Sequence, residues 1–301
     1  MPLDGVRVGL VLLPEKRWPE QRRRFEQAEE WGFDCAWTYD HIGWRSLVDG
    51  PWFGPVTTLA AAAAVTSRIR LGTFVASPNV RHPVPFAREV LALDDVSAGR
   101  LVLGIGAGGE GYDAAVMGGP ALSPRERVER YGEFVELLDA LLTKERTTWS
   151  GDWYSAVEAR SAPGCVQQPR VPFVLAANGP RSMRIVAEHG QGWVTTGPPG
   201  AADDAAWWTG VADLAARMTA ALDGVDRGER DPRRYLSLDS GPVSGLASIE
   251  QLRDSVGRAA ALGFDEVVIH WPRPAGVYAG REDLLEALSA LLTAAGEADV
   301  Q

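Results

Sequence analysis

Short apolar, β-branched segments alternate with longer amphipathic segments from one end of the chain to the other. Apolar runs of four to eight residues indicate buried strands, and apolar positions spaced three or four residues apart indicate helices. Strands are predicted at residues 6–13, 34–39, 69–76, 100–107, 173–178, 192–196, 235–240 and 266–270. A helix is predicted after each one, at residues 19–31, 56–66, 83–96, 124–142, 181–188, 203–222, 249–262 and 281–295. Eight consecutive βα units predict a (β/α)₈ TIM barrel, formed as a single domain over residues 1–301.

One segment, residues 143–172, interrupts this alternation between the fourth helix and the fifth strand. A Ser-Gly-Asp sequence at residues 150–152 separates two runs rich in Thr, Trp and Tyr, and a Pro-rich stretch follows. Turn residues between β-forming runs are typical of a hairpin. We therefore expect a hairpin and loop inserted into the barrel at this point.

The charge balance limits the classes of partner. Thirty basic residues against 40 acidic ones give a net charge of -10, the wrong sign for a protein that binds nucleic acid or an anionic membrane. Cys35 and Cys165 are too few for a disulfide framework or a structural zinc site, which fits a cytoplasmic protein. No apolar run reaches the roughly 20 residues of a membrane span. A small molecule is the expected partner.

Polar groups collect where the predicted strands end. In a (β/α)₈ barrel the active site forms at the carboxyl ends of the strands. The residues delivered there include Tyr39, Asp40, His41, Ser77, Asn79, Gly109, Glu110, Asn178, Thr195, Asp239, His270 and Trp271. We therefore expect a functional site at this rim.

Asp40 and His41 are the leading candidates for acid–base chemistry. Taken alone, an Asp-His pair is compatible with a loop carboxylate and a capping or packing imidazole. At a strand end the functional interpretation is favoured, because His titrates near neutrality and an adjacent carboxylate can orient it and raise its basicity.

Gly106, Gly108 and Gly111 match the GxGxxG pattern of dinucleotide-binding proteins. The match lies in the fourth βα unit, and a loop-like stretch follows it instead of a helix, which argues against a Rossmann site. Gly106, Ala107 and Gly108 are better explained as a surface that lets a planar ligand approach the backbone. Glu110 is either a second acid–base group or a solvated loop acid.

The segment from Asn178 to Ser182 is a candidate anion site. A strand ends at Asn178, Gly179 and Pro180 form a turn, and Arg181 and Ser182 open a helix. Free N–H groups at a helix N-terminus, with an Arg nearby, favour a phosphate. An ordinary βα turn is the alternative.

Other barrel chemistries fit less well. The four histidines are isolated, so no His-x-His metal pair is present, and neither Lys16 nor Lys144 lies on a predicted strand as a Schiff base requires. No G-x-S-x-G motif supplies a serine nucleophile. We therefore expect an organic cofactor and no metal.

Two stretches carry a family resemblance. The run from Ala28 to His41 and the longer run from Arg70 to Gly109, with its Arg81-His82-Pro83 and Ser97-Ala98-Gly99-Arg100 sequences, resemble the luciferase-like superfamily of flavin- and F420-dependent oxidoreductases. The resemblance continues through the fifth and sixth units. It implies a cofactor ring lying across the barrel mouth against the second to fourth strands.

By position, the resemblance also implies roles for individual residues. Asp40 and His41 would flank the ring, Ser77 would hydrogen-bond it, and Asn178, Gly179, Pro180, Arg181 and Ser182 would hold the phosphate. A non-proline cis peptide is expected between Phe74 and Val75 beside the ring. The resemblance further favours a homodimer formed through the early helices.

The choice of cofactor depends on one carboxylate. The deazaflavin branch of the superfamily has Asp-His at the second strand end and many flavin monooxygenases have Glu-His, so Asp40 favours F420 over FMN. Trp44, His270 and Trp271 are candidate substrate contacts, and the lack of Lys near the mouth disfavours a phosphorylated substrate.

The predicted reaction is hydride transfer between F420 and a small organic substrate. In this mechanism His41 is the general acid/base, Asp40 orients it, and Glu110 is a second proton donor. Two alternatives stay open: an FMN-dependent monooxygenase that consumes oxygen, and a catalytically silent flavin-binding barrel.

Overall fold

A computed structural model describes residues 3, 5–223, 225 and 231–298 of the chain. In this part of the chain eight parallel strands close a barrel in the order β1-β10-β9-β8-β7-β4-β3-β2. The barrel strands are β1 (Arg7–Val11), β2 (Cys35–Thr38), β3 (Arg70–Ala76), β4 (Leu101–Ile105), β7 (Phe173–Ala176), β8 (Gly192–Thr195), β9 (Arg233–Ser237) and β10 (Glu266–His270). The predicted (β/α)₈ barrel is confirmed, and every predicted strand is present within a few residues of its expected bounds.

Helices connect the strands around the outside of the barrel. They are α1 (Trp18–Glu30), α2 (Pro55–Ala63), α3 (Pro83–Val96), α4 (Tyr112–Val116), α5 (Pro124–Thr143), α6 (Pro180–His189), α7 (Asp204–Leu222), α8 (Ile249–Ala261) and α9 (Asp283–Ala298). The helix α5 begins with a capping box, in which Ser123 and Glu126 each bond the other's backbone amide. Helix α4 lies where the sequence predicts a loop. No helix among the described residues combines the length and apolar character that crossing a membrane requires.

The insertion between α5 and β7 is a hairpin, as predicted. Strands β5 (Arg146–Ser150) and β6 (Ser155–Arg160) pair antiparallel and form a separate two-stranded sheet. Glu133 of α5 anchors the hairpin, because its carboxylate accepts hydrogen bonds from the backbone amides of Trp153 and Tyr154 at 2.9 and 2.8 Å. The hairpin is therefore fixed to the outside of the barrel.

Alternate strand residues fill the inside of the barrel, as the period of two requires. The barrel-interior cluster consists of Val11, Leu13, Cys35, Trp37, Tyr39, Phe74, Val102, Val174, Val194, Tyr235 and Val268. Trp37 is its largest member, and the barrel makes room for it with glycine. A Cβ on Gly9 or Gly72 would lie 2.6 or 2.5 Å from atoms of the Trp37 indole.

A buried charge cluster lies at the amino ends of the strands, opposite the rim where the site is expected. Arg70 pairs there with Asp34 and, at 2.8 Å, with Glu266, which also accepts a hydrogen bond from Trp37. Burial raises the pKa of Glu266 to about 7, although Arg70 acts in the opposite direction. This cluster belongs to the fold and lies at the wrong end of the barrel for catalysis.

Strand β3 departs from regular pairing at its carboxyl end. The peptide bond between Phe74 and Val75 is cis, as predicted, and the register with β4 shifts between Thr73 and Ala76. Phe74 belongs to the barrel-interior cluster, and Val75 packs against it.

Candidate functional site

His41, just after β2, is held by a carboxylate from another part of the chain. Its Nδ1 is hydrogen-bonded to the carboxylate of Asp113 on α4, and the Ile42 amide donates to the same carboxylate at 2.9 Å. Burial acts to raise the pKa of Asp113, but the hydrogen bonds from His41 and Ile42 outweigh it, so that the pKa is lowered. An ionised Asp113 accepts a hydrogen bond from the Nδ1–H group and leaves Nε2 as the ring nitrogen for chemistry.

Aromatic rings enclose the imidazole of His41. The ring of Trp44 lies beside it with centroids 4.4 Å apart, and Tyr39 meets it edge-on at 5.6 Å. The His41 side chain is 19% exposed, so one side of the ring is open. Trp44, a predicted substrate contact, therefore lies directly beside the predicted acid/base.

The expectation that Asp40 orients His41 is wrong. Asp40 is buried and both of its carboxylate oxygens accept hydrogen bonds from Arg81, at 2.9 and 2.8 Å. Tyr39 belongs to the barrel-interior cluster and meets the His41 ring edge-on, whereas the Asp40 carboxylate is taken up by Arg81. Arg81 also pairs with Glu89 at 3.0 Å, which ties the end of β2 to α3. Asp40 thus fixes the backbone that carries His41.

Glu110 lies at the edge of the site. Its carboxylate pairs with Arg127 at the start of α5, and its side chain is 68% exposed. A cavity of about 470 Å³ opens between α5 and the segment that follows β4, and its lining residues include Glu110, Arg127 and Arg130. Asn79 spans this region by donating to the Gly109 carbonyl at 2.9 Å. The carboxylate that contacts His41 is therefore that of Asp113, a residue that the sequence analysis did not identify.

His270 and Trp271, the two substrate contacts predicted at the end of β10, have different surroundings. His270 is buried and faces the mouth, where its ring nitrogens contact Asp239 at 2.9 Å and the Tyr39 hydroxyl at 2.8 Å. Trp271 points outward, where its ring stacks on Trp31 at 5.4 Å. The expectation that Trp271 contacts substrate is wrong, because the residue after an inward-facing strand residue faces the helices.

The loop after β7 brings together the predicted phosphate residues. Asn178 donates to the Gly197 carbonyl at 3.0 Å and accepts from Thr195 at 2.6 Å, so its side chain braces the loop. Ser182 caps the turn by bonding both the N–H and the carbonyl of Gly179. Helix α6 begins at Pro180, and the amides of its first turn lie at the end of a helix that favours negative charge. The Arg181 side chain is exposed and lines a groove shared with α5 and the hairpin.

The mouth has features that suit a flat organic cofactor. Six half-buried side chains rest on the barrel-interior cluster and form an apolar floor: Trp44, Leu47, Trp52, Val75, Ala176 and Tyr278. Glycines let neighbouring segments pack closely beside this floor, because a Cβ on Gly106 would lie 2.7 Å from Val75 and one on Gly108 would lie 2.7 Å from Asn79. Ser77 is buried there, and its hydroxyl accepts a hydrogen bond from the Asn79 amide. The buried Trp44 Nε1 has no hydrogen-bond partner among the described residues. The apolar floor, with the buried Ser77 hydroxyl beside it, fits a flat ring with polar edges.

Comparisons with known proteins bear on the family and on the fold. The family model described as luciferase-like monooxygenase matches residues 6–238. An F420-dependent glucose-6-phosphate dehydrogenase of Kineococcus radiotolerans is 36% identical over 176 residues, which cover 58% of this chain and 51% of the relative. This chain therefore spans about half the length of that curated relative.

Two solved structures share the fold. The monooxygenase RslO1 from Streptomyces bottropensis superposes with a TM-score of 0.75 at 20% identity, covering 96% of this chain and 97% of its own. The coenzyme F420-dependent tetrahydromethanopterin reductase from Methanopyrus kandleri superposes with a TM-score of 0.74 at 17% identity, covering 96% and 99%. At these identities the likeness supports the barrel alone.

Proposed function

Because the chain belongs to the luciferase-like monooxygenase family, we propose that it is an oxidoreductase that uses the deazaflavin F420 to transfer hydride to or from a small organic substrate. The observation that carries the proposal is the His41–Asp113 pair at the barrel mouth, beside an apolar floor and a glycine-lined edge. The curated relative named above is an F420-dependent dehydrogenase, which supports this cofactor over FMN.

Residues on both sides of the mouth would hold the cofactor. The ring would lie against Phe74, Val75 and the backbone from Gly106 to Gly108, with Ser77 as a hydrogen-bond partner. The phosphate would bind at the N-terminus of α6, between Asn178 and Ser182. When bound, F420 supplies the carbon that accepts or gives the hydride.

The chain itself handles the proton. His41 Nε2 gives or takes a proton at the mouth, and Asp113 stabilises the imidazolium through Nδ1. Trp44 covers one face of the imidazole and keeps water from it. Glu110 stays the predicted second proton donor, in a position that requires it to leave Arg127.

We propose a substrate without a phosphate group. Lys16 pairs with Glu20 on α1 and Lys144 ends α5, so neither is placed to bind a phosphate at the mouth. The apolar side chains of Trp44, Leu47 and Trp52 favour an apolar body instead.

The homodimer also stays a proposal. Trp18 and Phe53 are 36% and 41% exposed near the start of α1, on a surface that also holds Gln21. The Gln21 amide is buried, and neither of its polar atoms has a hydrogen-bond partner among the described residues. A second copy that covers this surface would bury the exposed rings of Trp18 and Phe53.

Titration of the purified chain with F420 and with FMN, followed by tryptophan fluorescence, tests the proposed function. We expect F420 to bind more tightly, and turnover with F420 to proceed without oxygen uptake. Tighter FMN binding with oxygen consumption would instead favour a monooxygenase, as in RslO1. A bound cofactor that no reductant or substrate turns over would favour the silent barrel.

A further inference from the structure

Tyr39 lies between two imidazoles, and each imidazole is backed by a carboxylate. On one side Tyr39 meets the His41 ring edge-on, and Asp113 holds that ring. On the other side its hydroxyl bonds His270 Nε2 at 2.8 Å, and Asp239 holds that ring through Nδ1 at 2.9 Å. The proposed mechanism uses only the first pair. The second pair is a buried acid–base group without an assigned role.

The hydrogen bonds around Asp239 determine which ring nitrogen of His270 carries the proton. One carboxylate oxygen accepts from the His270 amide and ring, and the other accepts from the Gly245 amide at 2.8 Å and the Ser244 hydroxyl at 3.2 Å. Burial acts to raise the pKa of Asp239, but the hydrogen bonds from His270 and Gly245 outweigh it and lower the pKa. An ionised Asp239 keeps the proton of His270 on Nδ1. The lone pair on Nε2 then accepts the hydroxyl proton of Tyr39.

Tyr278 extends this chain of hydrogen bonds to the mouth. Its hydroxyl bonds the Tyr39 hydroxyl at 2.8 Å, and its ring stacks on His270 with centroids 3.6 Å apart. Because the Tyr39 proton points to His270, the Tyr278 hydroxyl donates to Tyr39. The oxygen of Tyr278 is left with lone pairs to accept a further hydrogen bond. Tyr278 is half-buried and packs against the barrel-interior cluster, and this oxygen is where the inference below places the substrate.

The loop that carries Tyr278 is built to hold it there. Tyr278 has φ +60°, a left-handed conformation that is costly for a residue with a side chain. Arg273 secures the loop by accepting at its carbonyl from Gly280 and donating at its amide to Tyr278. Its guanidinium reaches across to both carboxylate oxygens of Glu15, at 3.1 and 3.0 Å. The fold thus maintains an unfavourable backbone conformation that places one tyrosine on His270.

We propose that Tyr278, Tyr39 and His270 form a proton relay for the oxygen of an alcohol or carbonyl substrate with an apolar body. The relay is separate from the His41–Asp113 pair, and Tyr278 is the residue that touches the substrate oxygen. This proposal rests on the proposed function, which supplies the hydride acceptor.

The relay accounts for each electron pair and each proton in the oxidation of an alcohol. The carbinol C–H bond breaks and its electron pair leaves as hydride to the oxidised deazaflavin. The O–H bond pair forms the new C=O bond, and the proton passes to the Tyr278 oxygen. Tyr278 passes its own proton to Tyr39, and Tyr39 passes its proton to His270 Nε2. The resulting imidazolium is stabilised by Asp239, and carbonyl reduction runs the same steps in reverse.

Binding to the cofactor-free chain tests the relay without any turnover. The full chain is labelled with ¹⁵N-histidine, cyclohexanol is added as the probe, and the His270 Nε2 resonance is followed by NMR. We expect cyclohexanol to shift this resonance in the wild type but not in Tyr278→Phe. Tyr154→Phe is the matched control, because the buried Tyr154 hydroxyl has no hydrogen-bond partner in the part of the chain that the structure describes. The control is expected to respond as the wild type does. An unchanged resonance in the wild type, or an equal shift in Tyr278→Phe, would overturn the relay.

Kinetics with F420 and cyclohexanol test the catalytic role. Tyr278→Phe is expected to lower kcat by about 100-fold. Tyr39→Phe cuts the relay behind Tyr278, so kcat is expected to fall similarly while KM for cyclohexanol changes by less than about twofold. Circular dichroism melting confirms that each variant folds. Wild-type kcat in the folded Tyr39→Phe variant would overturn the relay, whereas failure of the wild type to bind F420 would overturn the proposed function.

Discussion

Asp113 holds the imidazole of His41 across 72 positions of sequence. The same carboxylate accepts hydrogen bonds from the amides of Ile42 and Gly43, so it is tied to the segment that carries His41. A ring gripped through Nδ1 by a carboxylate anchored to the ring's own backbone has little freedom to rotate. Asp113 therefore sets both the orientation and the tautomer of His41.

The first prediction concerns this pair. His41→Ala is expected to lower kcat by about 100-fold or more, because it removes the proton donor, and to leave F420 affinity largely unchanged. Asp113→Asn is expected to lower kcat by about 10-fold to 100-fold, because a neutral amide no longer stabilises the imidazolium. Steady-state kinetics and F420 fluorescence titration of both variants measure these effects. A larger loss of kcat in Glu110→Gln than in Asp113→Asn would contradict the assignment.

The fold was predictable because each βα unit carries its own periodic signal. The strand ends were predictable for the same reason, and the barrel geometry brings residues such as His41, Ser77 and His270 to one rim. The second-strand pair was assigned wrongly because adjacency in sequence was taken for contact. Asp40 and His41 follow β2, which ends at Thr38, and side chains of neighbouring residues in an extended segment point in different directions.

The partners from distant segments could not be predicted in the same way. Asp113 lies on α4, a helix of five residues, and so short a segment shows no helical period. Arg81 is part of the stretch that carries the family resemblance, but nothing in its sequence neighbourhood shows that it reaches Asp40. Tyr278 depends on a left-handed residue in a loop, a conformation that sequence patterns assign to Gly or Asn.

The second prediction concerns the phosphate end of the cofactor site. Ser182→Asp places a carboxylate in the first turn of α6, where it stabilises the helix but repels a bound phosphate. We expect F420 affinity to fall by at least about 10-fold, equivalent to about 1.4 kcal/mol, and melting curves measure the stability lost with the hydrogen bond that Ser182 donates to the Gly179 carbonyl. Ser248→Asp at the N-cap of α8 is the matched control and is expected to bind F420 as the wild type does. Unchanged affinity in Ser182→Asp would place the phosphate elsewhere.

The third prediction concerns the pH dependence of stability. Burial raises the pKa of Glu266 to about 7 in the fold, above its ordinary value of 4.5. Between these two values the folded chain holds a proton that the unfolded chain has released, so this residue makes the fold more stable as the pH falls from about 7 toward 4.5. Glu266→Gln removes the effect.

Melting curves between pH 5 and pH 8, within and just above that window, test this prediction. The rise in melting temperature toward pH 5 is expected to be smaller in Glu266→Gln than in the wild type. Glu158→Gln on the exposed hairpin is the control, and its profile is expected to follow the wild type. Identical profiles in all three proteins would show that Glu266 is ionised across the range.

The fourth prediction separates the two tryptophans that the sequence proposed as substrate contacts. Trp271 is 2% exposed and stacks on Trp31, with the Arg24 guanidinium 5.0 Å from its ring. Trp271→Ala is expected to lower the free energy of unfolding by about 3–5 kcal/mol, the usual cost of removing a buried aromatic ring. Trp44 is half-buried beside His41. Trp44→Ala is therefore expected to lower the free energy of unfolding less than Trp271→Ala does, and to lower kcat more. Urea unfolding and steady-state kinetics on both variants measure the two effects. The opposite pattern, with kcat lost in a fully stable Trp271→Ala, would return Trp271 to the substrate site.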